Sequence, residues 1–175
     1  MRPEYAIFAG GCFWCMEPPF DNTEGVLETI VGYTGGTLDN PTYEQVSRGG
    51  TGHREAVRVA FDPARVSYQK LLEVFWRNID PTQDDGQFAD RGTHYRTAIY
   101  VLNETQRALA EQSRQALIVS GKFKDPIVTE ILEARPFYPA EEYHQNYYKK
   151  EQDHYEMYKR GSGRAGFIEH TWKDK

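Results

Sequence analysis

Residues 53–79, HREAVRVAFDPARVSYQKLLEVFWRNI, change their period part-way along. Up to the turn at Asp62-Pro63, the apolar residues Ala56, Val57, Val59 and Phe61 follow a strand-like alternation. Beyond it, Leu71, Leu72, Phe75, Trp76 and Ile79 recur at helical spacing behind Ser67, a favourable N-cap. Strand and helix each carry one apolar side that water penalises, and the short connection lets one cover the other. That requirement points to helices laid on a sheet.

The remaining segments extend the pattern. Strands are expected at EYAIFA (4–9), in GVLETIVGYTGG (25–36), which ends in a Gly-rich turn, at THYRTAIYVL (93–102) and at DPIVTEILEA (125–134). CFWCMEPPFDN reads as a brief helix that Pro18 and Pro19 end or bend. PTYEQV, after the turn at Asp39-Asn40, reads as a single helical turn. Residues 103–121 form a helix capped by Asn103 and closed by Gly121. Residues 80–92 are a long polar loop, and EEYHQNYYKKEQDHYEMYKR forms one or two helices. The order is strand, helix, strand, strand, helix, strand, helix, strand. The fold class is therefore α+β: a two-layer sandwich with a mixed or antiparallel sheet, a ferredoxin-like core in its first six elements, and an irregular or helical C-terminal segment. A chain of 175 residues without an internal repeat or low-complexity linker fits one domain, 1–175.

The net charge of −5 argues against nucleic-acid and anionic-membrane partners. No apolar run reaches the roughly 18 residues of a membrane helix. The N-terminus lacks the basic and apolar regions of a secretory signal, so a cytoplasmic location is expected.

Both cysteines of the chain sit in AGGCFWCMEPPF. A strand ending in Gly-Gly and followed by a helix start aims unpaired N–H groups and partial positive charge at Cys12, which predicts a lowered pKa and an accessible thiolate. Residues three apart on a helix have Cα atoms about 5 Å apart, within the roughly 4.4–6.8 Å of a disulfide. From the residues alone, Cys12 and Cys15 remain open to a structural, a zinc-binding or a thiol-exchange reading. Zinc lacks further ligands at suitable spacing. A simple exchange motif leaves the bulky Phe13-Trp14 insert and the 12 tyrosines without a purpose.

Taken together, GCFWC, NPTYEQV, GHREAV, QFADRGTHYR and PFYPAEEYHQNYY resemble the A-type peptide methionine sulfoxide reductases, in order, over residues 4 to 160. The resemblance implies reduction of methionine S-sulfoxide, free and in proteins, with no bound cofactor or metal and with thioredoxin or another dithiol as external reductant. It implies Cys12 as the nucleophile and Glu55 as the acid that protonates the departing oxygen. A free Glu titrates near 4.3, so a neutral acid near pH 7 takes a shift of about 3 units, or about 4 kcal/mol. Burial and repulsion from the Cys12 thiolate act in that direction. Tyr43 and Tyr95 match tyrosines that face the substrate oxygen. Phe13 and Trp14 match the socket for the S-methyl group, and Asp90 matches a contact to the methionine backbone. His144 is expected to be a structural hydrogen-bonding residue. Many family members carry Gly where Cys15 stands and recycling cysteines in a C-terminal tail. Here the tail GSGRAGFIEHTWKDK has none, which leaves Cys15 to resolve the oxidised Cys12. A monomer is expected. Two rival functions make different predictions: a general thiol–disulfide oxidoreductase, and an aromatic cage for methylated lysine that binds without turnover.

Overall fold

The computed structural model describes residues 2–172; the last three residues of the tail lie outside the described residues. Strands β1 (Glu4–Ala9), β2 (Val26–Thr34) and β3 (Arg54–Phe61) form the centre of the molecule, with helix α1 (Phe13–Asp21) between the first two and the short α2 (Tyr43–Ser47) before the third. Helix α3 (Tyr68–Arg77), the two-residue strands β4 (Gly86–Gln87) and β5 (Asp90–Arg91), strand β6 (Ala98–Val101), helix α4 (Glu104–Ser120), and strands β7 (Glu130–Glu133) and β8 (Phe137–Pro139) follow. The chain ends in α5 (Tyr147–Lys150), α6 (Gln152–Ser162) and α7 (Arg164–Trp172).

Six strands make one sheet in the order β7-β6-β1-β3-β2-β8. Its middle, β6-β1-β3-β2, is antiparallel throughout, and both crossovers skip one strand, as in a ferredoxin-like unit. β7 adds in parallel to β6 through α4, and β8 adds antiparallel to β2 at the other edge. The mixed sheet and the ferredoxin-like core therefore follow the expected order.

Alternation along the strands divides the two faces. Phe8, Val31, Tyr33, Val57, Val59 and Phe61 join the main core, together with Phe20 of α1 and Leu71, Leu72 and Phe75 of α3. The Phe8 ring stacks on Phe20 at 5.0 Å and on Phe75 at 5.2 Å. Ile7, Ala9, Ala56, Ala98 and Tyr100 form a smaller cluster on the opposite face. Glu55 shares the parity of Val57, so the pleat turns it toward the helix side, at the end of the sheet where α1 begins.

The caps agree with the sequence. Ser67 Oγ accepts from the Lys70 N–H at 3.0 Å, Asn103 Oδ1 accepts from the Gln106 N–H at 2.9 Å, and Gly121 closes α4 with φ of 68°. Thr42 and Gln45 form a capping box around α2.

Other expectations fail for local reasons. Pro18 and Pro19 do not end α1, which runs through them to Asp21. Their missing N–H groups are those that would bond the carbonyls of Trp14 and Cys15, so the cost falls on the first turn. The polar loop 80–92 contains the β4–β5 hairpin, anchored by fully buried Gln87, whose side chain pairs with the backbone N–H and C=O of Asp80 at 2.8 and 2.7 Å. The strand expected over 93–102 starts only at Ala98, because residues 93–95 form a 3-10 turn. The strand expected over 125–134 shrinks to Glu130–Glu133. Edge strand β8 and helix α7 were not anticipated.

Candidate active site

Strand β1 ends at Ala9, Gly10-Gly11 make the turn, and Cys12 follows as the N-cap of α1. Gly11 has φ of 89°, and a Cβ there would meet the Gln87 side chain at 2.6 Å and Arg164 Nη2 at 2.8 Å. Only glycine fits that turn. Both cysteines are reduced and buried, Cys12 5% and Cys15 1% exposed, and the Cys15 N–H donates to the Cys12 carbonyl at 3.1 Å.

The accessible, low-pKa thiolate expected at Cys12 is not found in this state. Burial pushes the Cys12 thiol well up, assisted by its hydrogen bond to Cys15 and by the negative charge of Glu55. The N–H that should have served Cys12 is taken, since the Phe13 N–H donates to Glu55 Oε1 at 3.1 Å. Cys15 is the lowered member of the pair, at about 7. The hydrogen bond from Cys12 is the main cause; burial opposes it, and the charges of Arg164 and Lys159 add to it. The two thiols share one proton equilibrium, so the first ionisation belongs to the pair.

Glu55 is 1% exposed, and burial pushes its carboxyl up to about 8 against the opposing Phe13 hydrogen bond. Repulsion from Asp90 and Cys15 adds to burial at Glu55, and the repulsion expected between Glu55 and Cys12 appears at Cys12, which it raises.

Around these groups lies a cavity of about 210 Å³ lined by Cys12, Phe13, Trp14, Tyr43, Glu55, Asp90, Tyr95 and Tyr158. Seven of the eight residues expected to act on or bind the substrate thus meet at one place. Cys15 lies behind Cys12, outside the lining. The volume is below the roughly 300 Å³ of a typical small-molecule site and suits the end of one side chain. Tyr95 comes from the 3-10 turn and not from a strand, and its side chain hydrogen-bonds that of Tyr43. Burial raises both phenol pKa values, keeping them as neutral donors. A groove of about 790 Å³ at the other end of β1, lined by Tyr5, Arg58 and Phe137 among others, contains neither cysteine.

The C-terminal segment closes the cavity. Trp14 donates from Nε1 to His144 Nδ1 at 3.0 Å and stacks on Tyr147 at 3.9 Å. Burial lowers the His144 pKa, so the ring is a neutral acceptor, in keeping with a structural role. Glu141 accepts from the Tyr33 hydroxyl at 2.8 Å and from the Tyr43 N–H at 2.9 Å, fixing the start of α2. Tyr158 of α6 was missed in the sequence. Its hydroxyl hydrogen-bonds Asp90 and also reaches Cys12. The available signal was the three-residue spacing of Tyr155 and Tyr158, which puts both on one helix face. Among the described residues, no group of three or more His, Cys, Asp or Glu side chains is arranged to hold a metal ion.

The family model for peptide methionine sulfoxide reductase matches residues 4–175. The chain belongs to this family. It is 62% identical to the peptide methionine sulfoxide reductase MsrA of Bacillus pumilus, over 99% of this chain and 98% of that one. It is 58% identical to the MsrA of Bacillus subtilis, again over 99% and 98%. Among solved structures, methionine sulfoxide reductase A of Corynebacterium diphtheriae aligns with a TM-score of 0.76 and 36% identity, covering 86% of this chain and 76% of that one. Reduced Mxr1 of Saccharomyces cerevisiae aligns with a TM-score of 0.79 and 28% identity, covering 86% and 87%. The chain is accordingly an oxidoreductase that acts on peptide methionine sulfoxide.

Proposed function

We propose that this enzyme reduces the S epimer of methionine sulfoxide, free and within proteins, by a two-cysteine cycle. The observation that carries the reading is the shared cavity: nucleophile, acid and two phenol donors line one space the size of a side-chain end. The S-methyl group rests against Phe13 and Trp14, and Asp90 receives the backbone of the bound methionine. Tyr43 and Tyr95 donate to the sulfoxide oxygen, whose negative charge grows as the S–O bond breaks.

The Cys12 sulfur attacks the sulfoxide sulfur as its thiolate, the minor form in the substrate-free state, while Glu55 gives its proton to the oxygen. The products are methionine, a Cys12 sulfenic acid and a Glu55 carboxylate, so the substrate sulfur gains the electron pair that Cys12 loses. With its pKa at about 8, Glu55 holds its proton in roughly nine molecules of ten at pH 7. Cys15 then attacks the Cys12 sulfur, the S–O bond of the sulfenic acid breaks, and water leaves. The resulting disulfide exchanges with an external dithiol. Support for thioredoxin in that role comes from Mxr1, which is solved in complex with Trx2.

The test is reduction of resolved S and R sulfoxides of free methionine and of a methionine peptide, with a thioredoxin system. Turnover of the S form in both substrates, and none of the R form, is expected. Equal use of the epimers, or insulin reduction without sulfoxide reduction, contradicts the reading.

A further inference from the structure

Arg164 opens α7, in the cysteine-free tail, yet its side chain is 1% exposed and lies beneath the cysteine pair. Nη2 donates to the Gly10 carbonyl at 3.0 Å, and Nη1 donates to the Asn78 carbonyl at 2.7 Å and lies 3.4 Å from Met16 Sδ. The guanidinium also lies over the Phe88 ring at 4.8 Å. Its polar contacts are thus two carbonyls and a thioether; among the described residues no carboxylate pairs with it. A buried cation without a counter-charge is costly. Gly10 and Met16 flank Cys12 and Cys15 in sequence, so a negative charge on the cysteine pair would be the counter-charge nearest at hand.

We propose that Arg164 is the positioning residue of the recycling step: it pins the Gly10-Gly11 turn and supplies the positive charge against which Cys15 acts as nucleophile toward the sulfenic acid on Cys12. The proposal rests on the two-cysteine cycle above. In that step the Cys15 thiolate forms the S–S bond, the S–O bond of Cys12 breaks, and hydroxide leaves to be protonated to water. Arg164 favours the thiolate electrostatically and takes no proton itself. The other charged or titratable groups that face Cys15 are Cys12, Glu55 on β3, Asp90 on β5, and Tyr155 and Lys159 on α6. Asp90 opposes the thiolate and Lys159 favours it, but Lys159 lies on the part-exposed face of α6. Arg164 is the buried cation of the set.

The test compares Arg164→Gln with Arg164→Lys by two readouts. Thiolate absorbance at 240 nm in the reduced protein follows the first ionisation of the pair, at about 7 in the wild type. Arg164→Gln is expected to raise it by about one unit, and Arg164→Lys to keep most of the wild-type value while losing the forked contacts to Gly10 and Asn78. In single turnover, free-thiol loss after methionine release should then slow several-fold at pH 7 in Arg164→Gln, because a smaller fraction of Cys15 is ionised. The deficit should vanish by pH 9. A role confined to packing predicts that both variants lose thermal stability with an unchanged 240 nm titration, and that result overturns the proposal. If Arg164→Gln fails to fold, a Lys variant that titrates like a free thiol overturns it equally. Full steady-state turnover of Cys15→Ser with thioredoxin removes the recycling role itself, and the 240 nm titration separately decides whether Arg164 supplies the charge.

Discussion

The four central strands with helices α1, α3 and α4 (residues 4–121) and the C-terminal segment (residues 141–172) both reach the cavity, but they are held by a different balance of forces. The first is fixed by apolar alternation and aromatic stacking, with Phe8, Phe20 and Phe75 at its centre. The second adds to a few aromatic contacts, such as Tyr147 on Trp14, a set of individual polar ones: Gln145 on both the N–H and the carbonyl of Val31, the Asn146 N–H on Glu17, and the buried guanidinium of Arg164. In the proposed cycle, the first region supplies the nucleophile and the acid. The second supplies groups that adjust them, namely His144, Tyr158 and Arg164. Damage to the first should therefore stop the chemistry, and damage to the second should retune it.

The largest expected effect is at Cys12→Ser, which should abolish sulfoxide reduction, because a hydroxyl does not replace the sulfur as nucleophile. Measurable turnover of a sulfoxide peptide by this variant would remove the assignment of the core region. Next is Glu55→Gln, which keeps a hydrogen bond but has no proton to give. Its single-turnover rate should fall about 10²–10⁴-fold with a smaller change in substrate affinity. In the wild type, methionine formation should decline as pH rises through about 8, where Glu55 loses its proton. A flat profile there points to another acid.

Tyr158→Phe probes the second region. Losing the hydroxyl that joins Asp90 and Cys12 should lower kcat/KM about tenfold, the equivalent of one hydrogen bond to a charged group. A loss as large as that of Glu55→Gln would erase the distinction between the two regions. The smallest effect concerns the seam between them. Glu17 of α1 is fully buried, accepts from the Thr29 hydroxyl at 2.9 Å and the Asn146 N–H at 2.8 Å, and has its carboxyl raised to about 7 by burial. A carboxyl raised in the folded state favours the folded protein while protonated. That contribution is full below about 4.5 and is lost as pH rises through about 7. Denaturant titrations at pH 5 and 8 should show Glu17→Gln flattening this decline by about 1–2 kcal/mol; parallel curves for variant and wild type would show that the seam does not titrate.

The same division decides what the sequence shows. The change of period at Asp62-Pro63, the caps at Ser67 and Asn103, and the strand–helix order reveal the ferredoxin-like core, because apolar spacing and short-range caps are local signals. The family-like segments located seven of the eight cavity-lining residues. What was illegible depends on contacts between distant residues. No local pattern reveals that Gln87 is buried beneath a polar loop, that Arg164 inserts from a glycine-rich tail, or that Phe137–Pro139 completes the sheet edge. The pKa expectation at Cys12 failed similarly: helix position favours a thiolate there, but burial and the capture of the Phe13 N–H by Glu55 outweigh it.

The claim that joins both regions is that Cys15 resolves what Cys12 begins. Its direct measurement is free-thiol counting after a single turnover of a sulfoxide peptide without added reductant, in wild type and Cys15→Ser. The account predicts two thiols lost per methionine formed in the wild type and one in Cys15→Ser, which should complete its first turnover and then stall with thioredoxin. One thiol lost in the wild type, or full steady-state turnover of Cys15→Ser with thioredoxin, would contradict it.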